Sequence, residues 1–440
     1  MSPEAPGHIE IREQRDQVEK DILTSMKKPS LLFLACLGFT VALATVLLAC
    51  WGYQIKTGLI VSGKNHPVGW YMYITSFVFW VGIAHSGTLI SAILYLLRAG
   101  FRKSFNRSAE AMTVFSLMVA GMFPLIHLGR IWLFYWLMPY PNQRQIWVNF
   151  RSPLIWDVFA VGTYFTVSLI FFYVGMIPDL AIVRRCSDGF KKRIYSVLSL
   201  GWLGTPSQWR HYNQLYLLLA SLATPLVLSV HSVVSWDFAM SIVPGWHTTI
   251  FAPYFVAGAI FSGTAMVILL VIPMRRMLSL EKYISVDDFE NIAKILLFTS
   301  LIVTYSYIVE FCLAFYSGNI FEETVYKYRV LGDFKIMFWI MIFGNSILPL
   351  TLFIRKLRRN LPYLFVTSIF VIIGMWFERF VIIVTSLARD FDPYNWGIPN
   401  LSIIAIGIVL GSFGLFFMMF LLFVKLFPVL SITELKEKLE

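Results

Sequence analysis

Ten long apolar runs, separated by short polar loops, determine what this chain can fold into. A helix of about 20 apolar residues crosses the roughly 30 Å hydrocarbon core of a bilayer. Hydrophobic residues make up 58% of the sequence and charged residues 14%, which excludes an ordinary soluble domain. The predicted spans are Leu31–Tyr53, Val68–Leu97, Ala109–Leu137, Pro153–Pro178, Tyr212–Met240, Ile250–Met274, Phe289–Tyr316, Asp333–Ile354, Leu361–Leu387 and Leu401–Phe427. The sequence therefore predicts an all-α integral membrane protein with about ten transmembrane helices.

Lysine and arginine are distributed unevenly between the loops on the two sides of the membrane. The side that carries both termini holds 25 of these residues, and the opposite loops hold seven. Because basic loops remain cytoplasmic, we expect residues 1–30 to be a cytoplasmic N-terminal extension without a cleavable signal, residues 31–428 the membrane domain and residues 429–440 a cytoplasmic C-terminal tail. Attraction to anionic lipid head groups accounts for the net charge of +11 and argues against nucleic-acid binding.

The cysteines and histidines are too few and too scattered to hold a redox cofactor. None of the four cysteines has C-x-x-C spacing, so neither a disulfide framework nor a cysteine-ligated cluster is predicted. The predicted spans contain His85, His127 and His231, which cannot complete two bis-histidine haem sites at two depths. We therefore expect no haem, iron–sulfur cluster or metal ion in this chain.

Ionisable residues interrupt the apolar runs, where each is costly unless it has a partner. Counted at about 1.5 Å per residue along each helix, they lie toward the outer face. They are His127, Arg130, Asp157, Asp237, Glu310, Glu378 and Arg379. The structural alternatives are interhelical bridges or, for Arg130, an interfacial anchor. The shared depth predicts a functional site near the outer face.

Glu378 and Arg379 are neighbours in sequence, so their side chains point about 100° apart on a helix. We therefore expect them not to pair with each other. Arg379 is predicted to face the interior of the bundle, where Asp157 or Asp237 would supply its carboxylate partner.

One histidine, several carboxylates and an arginine among aromatic residues suit quinol oxidation. That reaction removes two electrons and two protons, so it needs a partner for the hydroxyl, proton acceptors and an apolar slot. A secondary transporter is the competing class, but its substrate site would lie near the bilayer midplane between broken helices. A structural assembly subunit is the third alternative, against which the buried polar groups count.

Several segments carry a resemblance to a known family. The runs SGKNHPVGWYMYITSFVFWVGIAHSGTLI, FPLIHLGR and SPLIWDVFA resemble the NrfD/PsrC family of quinone-interacting membrane subunits, and within it the ActC-like subunits of alternative complex III. The resemblance implies two four-helix bundles, helices 2–5 over residues 68–240 and helices 6–9 over residues 250–388, with helices 1 and 10 flanking them. It also implies a location in the bacterial inner membrane and a quinone, expected to be menaquinone, bound near the outer face.

By motif, the resemblance assigns quinol binding and catalysis to four residues. These are His127 of FPLIHLGR, Asp157 of SPLIWDVFA, Asp237 of HSVVSWDF and Arg379 of FERFVII. His127 and Asp157 would receive the hydroxyl protons, Arg379 would fix the ionised aspartates and Asp237 would be a second acceptor. Implied partners are an iron–sulfur subunit on the outer face, multihaem cytochrome c subunits, a second NrfD-like membrane subunit and a terminal oxidase.

Two questions stay open at the level of the sequence. Related subunits also anchor polysulfide- or nitrite-type reductases, which have different partners. Proton translocation is a further expectation, with His85, Glu110 and Glu310 at the ends of half-channels between helices. Ordinary interhelical hydrogen bonds are the alternative for these three residues.

Overall fold

The computed structural model describes residues 6–27, 29–137 and 150–437, and within these ranges the fold is helical and has no strands. The helices are α1 (Pro6–Ser25), α2 (Leu31–Thr57), α3 (Met72–Leu96), α4 (Asn106–Leu128), α5 (Pro153–Arg185), α6 (Gly189–Leu198), α7 (Pro206–Ala239), α8 (Phe251–Met277), α9 (Val286–Tyr316), α10 (Ile320–Leu331), α11 (Lys335–Phe353), α12 (Leu361–Ala388), α13 (Ile403–Leu426) and α14 (Ile432–Glu437). Ten of these described helices, all except α1, α6, α10 and α14, are long and apolar enough to cross a membrane. The predicted all-α membrane fold is confirmed.

Some spanning helices begin or end away from the predicted positions, because local capping sets the ends of a helix. α4 ends at Leu128, where Gly129 adopts left-handed backbone with φ of 71°. The chain then continues as a 3₁₀ helix over Ile131–Leu137, which the sequence had assigned to the same span. α7 begins before its predicted start, because Thr205 and Gln208 form a capping box.

The spanning helices pack as the two predicted bundles. α3, α4, α5 and α7 form the first bundle and α8, α9, α11 and α12 the second, while α2 packs along α13. α3 lies against both α4 and α8. Glycines permit these close approaches: a Cβ at Gly87 would collide with the Ala109 carbonyl of α4, and a Cβ at Gly263 would lie 2.5 Å from the Ile83 carbonyl oxygen.

The two ends of the bundle differ. At the end that carries both termini, here called the terminal end, α1 packs against α14. Thr433 of α14 donates backbone and side-chain hydrogen bonds of 3.1 and 2.9 Å to Asp179 of α5. The opposite, distal end is formed by α10 and by loops, one of which is held by a 2.7 Å hydrogen bond from the Trp246 indole to the Ile382 carbonyl. That carbonyl belongs to a π-helical turn of α12.

Candidate functional site at the distal end

Asp157 and Asp237 lie together at the distal end. Asp157 is in the first turns of α5, Asp237 is near the end of α7, and their side chains share a hydrogen bond. A hydrogen bond between two carboxyl groups requires a proton on one of them. Each aspartate also keeps a buried Oδ1 without a hydrogen-bond partner among the described residues. The pair therefore carries a proton and retains acceptor atoms for a further donor.

Trp156 and Trp236, the residues just before these aspartates, line a cavity of about 850 Å³. Their rings meet edge to face, with centroids 6.0 Å apart. Much of the remaining wall is apolar or aromatic and includes Leu313, Tyr316 and Tyr326. Burial raises the pKa of Tyr326, so its phenol stays neutral. A cavity of this size and lining suits a small organic ligand.

Glu310 and Glu322 are the carboxyl groups in the described wall of this cavity. Glu322 is engaged, because it accepts a 2.8 Å hydrogen bond from the Gly245 backbone amide. Glu310 is only 4% exposed, and its Oε1 has no hydrogen-bond partner in the described part of the chain. The Thr248 hydroxyl, also in the wall, is buried without a partner there. The cavity therefore presents two unsatisfied polar groups to whatever occupies it.

Arg379 pairs with its neighbour Glu378, so the prediction that these residues would not pair is wrong. The Arg379 Nη1 lies 3.1 Å from the Glu378 Oε1, and both side chains are buried. Glu378 also accepts hydrogen bonds from the Tyr307 hydroxyl and, at 3.3 Å, from Asn345 Nδ2. The guanidinium lies over the Phe255 ring, 4.1 Å from its centroid. Within the described residues, the ion pair of Arg379 is thus with Glu378 and with neither aspartate.

The helical angle failed as a guide because this turn of α12 is enclosed on all sides. Glu378, Arg379 and Phe380 are each at most 3% exposed. Gly258 of α8 leaves space beside them, since a Cβ there would lie 2.9 Å from the Arg379 Nη2. A long arginine side chain can turn within that space toward the preceding residue. The directions of the Cα–Cβ bonds therefore do not determine where the charged groups meet.

His127 lies in the last turn of α4, also at the distal end. Its Nδ1 has no hydrogen-bond partner among the described residues, and the charge that acts on it is that of Lys64. Burial lowers the pKa of Lys64. Arg130 is exposed, as an interfacial anchor would be. The structure thus places His127 in the distal layer, with no hydrogen bond to the aspartates in the described ranges.

His85 and His231 form a buried ring pair that sequence reasoning missed. Their ring centroids are 4.6 Å apart, and neither residue is exposed. The His85 Nδ1 lies 2.6 Å from the Val81 carbonyl oxygen, whereas its Nε2 and both nitrogens of His231 lack partners among the described residues. Depth counting had separated the two histidines, and only the packing of α3 against α7 brings them together. Rings this close leave no room for a haem between them.

Glu110 lies at the terminal end in a buried network. The Arg107 guanidinium lies 3.0 Å from Glu110 and 2.9 Å from Asp179. The Tyr216 hydroxyl donates to Glu110 at 3.1 Å. These partners satisfy the carboxylate, so the structure gives Glu110 an evident role in joining α4, α5 and α7.

This fold and site define a polytopic membrane subunit of a redox complex. The family described as polysulphide reductase, NrfD, matches residues 60–389. The chain therefore belongs to the NrfD family, whose members are quinone-interacting membrane subunits of oxidoreductase complexes that contain iron–sulfur and other redox subunits. The sequence is also similar to a Halobacterium salinarum protein named as a "Putative dimethyl sulfoxide reductase membrane subunit", with 26% identity over 357 residues, which cover 80% of this chain and 77% of that protein.

Proposed function

We propose that this chain is the quinol-binding membrane subunit of a respiratory complex and that quinol is oxidised at its distal end. The observation that carries the proposal is the 850 Å³ aromatic cavity whose wall includes Trp156 and Trp236, directly beside the hydrogen-bonded pair of Asp157 and Asp237. A quinol needs an apolar slot for its ring and acceptors for its two protons. The cavity provides the first and the nearby carboxyl groups provide the second.

The uneven distribution of lysine and arginine supports an orientation in which the terminal end is cytoplasmic and the distal end faces outward across the cytoplasmic membrane. Quinol, expected to be menaquinol, would enter laterally from the bilayer. Its two electrons would pass singly to an iron–sulfur subunit docked on the distal end, and its two protons would leave outward.

Within this proposal, the four residues assigned by motif have different roles. Asp157 and Asp237 share a proton, so the ionised member of the pair accepts the next one. His127 lies in the same layer and would receive or relay a proton. Arg379 acts through its field, because its guanidinium is held by Glu378.

A substitution of Asp157 tests the aspartate pair. Asp157→Asn retains a hydrogen-bond donor toward Asp237 but cannot take up a proton. We expect quinol oxidation by membranes containing the complex to be abolished, with the complex still co-purifying intact. The control is Glu323→Gln, which alters an exposed carboxylate of α10 paired with Lys327 at the surface. Normal turnover in the Asp157 variant would remove the aspartate pair from the mechanism.

The downstream partner separates two versions of the proposal. In an alternative complex III, the partners would be an iron–sulfur protein, multihaem cytochromes c, a second NrfD-like subunit and a terminal oxidase. The name of the family and that of the Halobacterium relative favour instead a reductase, in which the same site would feed a catalytic subunit. Affinity purification of the tagged chain in mild detergent, followed by mass spectrometry, distinguishes these outcomes: co-purifying cytochromes c support the first, and a molybdenum-type catalytic subunit supports the second.

Proton translocation is a further part of the proposal and involves His85, Glu110 and Glu310. The buried His85–His231 pair, with unpartnered ring nitrogens, supports a relay at the interface of the two bundles. Glu110 fits less well, because Arg107 and Tyr216 already satisfy it. The test is the ratio of protons to electrons in proteoliposomes, which should fall in a His85→Ala variant. An unchanged ratio would leave these residues with structural hydrogen bonds only.

A further inference from the structure

The distal cavity selects its ligand by charge. Neither lysine nor arginine is among the described residues of its wall, which instead holds two carboxyl groups, His247 and a series of aromatic and aliphatic side chains. An anionic substrate such as a nitrite or polysulfide ion would meet no cation there, and the carboxyl groups would repel it. A neutral aromatic molecule with hydroxyl donors is complementary to this wall.

Glu310 is the polar group that such a ligand would satisfy. A buried acceptor without a donor costs about 1–3 kcal/mol, and more when it is charged. Glu310 is buried and its Oε1 lacks a partner among the described residues. Glu322, the other carboxyl group of the wall, already accepts the Gly245 amide. A ligand hydroxyl that donates to Glu310 would supply the missing hydrogen bond.

The aspartate pair is less accessible from the cavity than Glu310. Trp156 and Trp236 belong to the cavity wall, whereas Asp157 and Asp237 do not. Successive residues of a helix point about 100° apart, so the tryptophans face the cavity and the aspartates face each other between α5 and α7. A molecule in the cavity would therefore contact Glu310 directly and reach the aspartates only past the tryptophans.

We propose that Glu310 is a catalytic residue that binds one quinol hydroxyl in this cavity and accepts its proton. This inference rests on the proposed function, because it assumes that the ligand is quinol. When the quinol is oxidised, one O–H bond breaks and its proton passes to the Glu310 carboxylate, while the electrons leave to the iron–sulfur subunit. The other hydroxyl proton goes to the acceptors already proposed. Glu310 then releases its proton at the mouth of the cavity, where Ser317 and Asn319 are exposed.

The test uses the complete complex in nanodiscs, with Glu310→Gln, Glu310→Asp and Ala314→Trp. Glutamine still accepts a hydrogen bond but takes no proton, so kcat for quinol oxidation should fall about 100-fold or more, with KM little changed. Aspartate should restore part of kcat. Ala314 lines the cavity and is 4% exposed, so tryptophan there should fill the space and abolish binding of a fluorescent quinol analogue. Glu323→Gln again provides the surface control.

The outcomes separate this inference from the proposed function. A wild-type complex that neither binds nor oxidises quinol would refute the proposed function, whatever Glu310 does. A wild-type complex that oxidises quinol, together with normal kcat in Glu310→Gln and normal analogue binding in Ala314→Trp, would overturn the assignment of Glu310 and leave the proposed function standing. Co-purification of the partner subunits with each variant excludes misassembly as the cause of a loss.

Discussion

The buried ion pair between Glu378 and Arg379 predicts an unequal response to loss of either charge. Glu378→Gln keeps a side-chain oxygen for the Tyr307 and Asn345 donors but removes the negative charge. Arg379→Gln removes the positive charge and leaves Glu378 buried. The two variants thus break the same 3.1 Å ion pair from opposite sides.

The free energies follow from what each unpaired group can do. Removing one partner of a buried ion pair costs about 3–5 kcal/mol, because the other charge is left uncompensated. An arginine cannot lose its proton, so Glu378→Gln should incur that full cost even though the Phe255 ring still faces the guanidinium. A buried carboxylate can take up a proton and become neutral instead. Arg379→Gln should therefore cost less, about 1–3 kcal/mol, which is the range for an unsatisfied neutral group.

The assay is unfolding of the purified protein in mixed micelles by increasing dodecyl sulfate, followed by circular dichroism, at pH 8 and pH 5. Glu378→Gln should be the less stable variant at both values. Arg379→Gln should be more stable at pH 5 than at pH 8, because protonation neutralises the carboxyl group that the arginine has left. The double variant should lose less than the sum of the single losses.

A surface pair provides the control for this cycle. The Lys327 and Glu323 side chains are 58% and 27% exposed and lie 2.8 Å apart, so Glu323→Gln should change the free energy of unfolding by about 1 kcal/mol or less. If Arg379→Gln were as destabilising as Glu378→Gln, or if the two losses simply added, the pair would not be a buried ionic contact.

Two further predictions concern the packing and capping of the spanning helices. Gly87→Ala should destabilise the protein by about 1–3 kcal/mol, because its Cβ would press on the Ala109 carbonyl; Gly121→Ala, on α4 with nothing within 4 Å, should be neutral or slightly stabilising in the same unfolding assay. Equal effects of the two glycine variants would contradict the close approach of α3 to α4. Thr205→Ala should remove the capping box with Gln208 and cost about 1 kcal/mol, and an unchanged unfolding midpoint would show that the cap adds nothing to the stability of α7.

The sequence predicts the helices well because the bilayer imposes one strong requirement, a sufficient length of apolar residues. Depth along a helix also follows from the sequence, and it identified Asp157 and Asp237 as candidates for one site. Rotation about the helix axis and the reach of long side chains do not follow from it. For that reason the pairing of Arg379 was wrong, and His231 was not recognised as the neighbour of His85.

The distal cavity could not be read from hydropathy, because its wall comes from parts of the chain that only the packing of the two bundles brings together. Trp236 belongs to the first bundle and Glu310 to the second, and α10 with the adjoining loop closes the space between them. A ligand held there contacts both bundles at once, so its binding energy depends on how α7 meets α8 and α9. Any relative movement of the bundles would then change the position of Glu310 with respect to the aspartate pair. Release of the two quinol protons would in this way be sensitive to the interface that also contains the His85–His231 pair, which gives a physical route from quinol oxidation to the proposed proton relay.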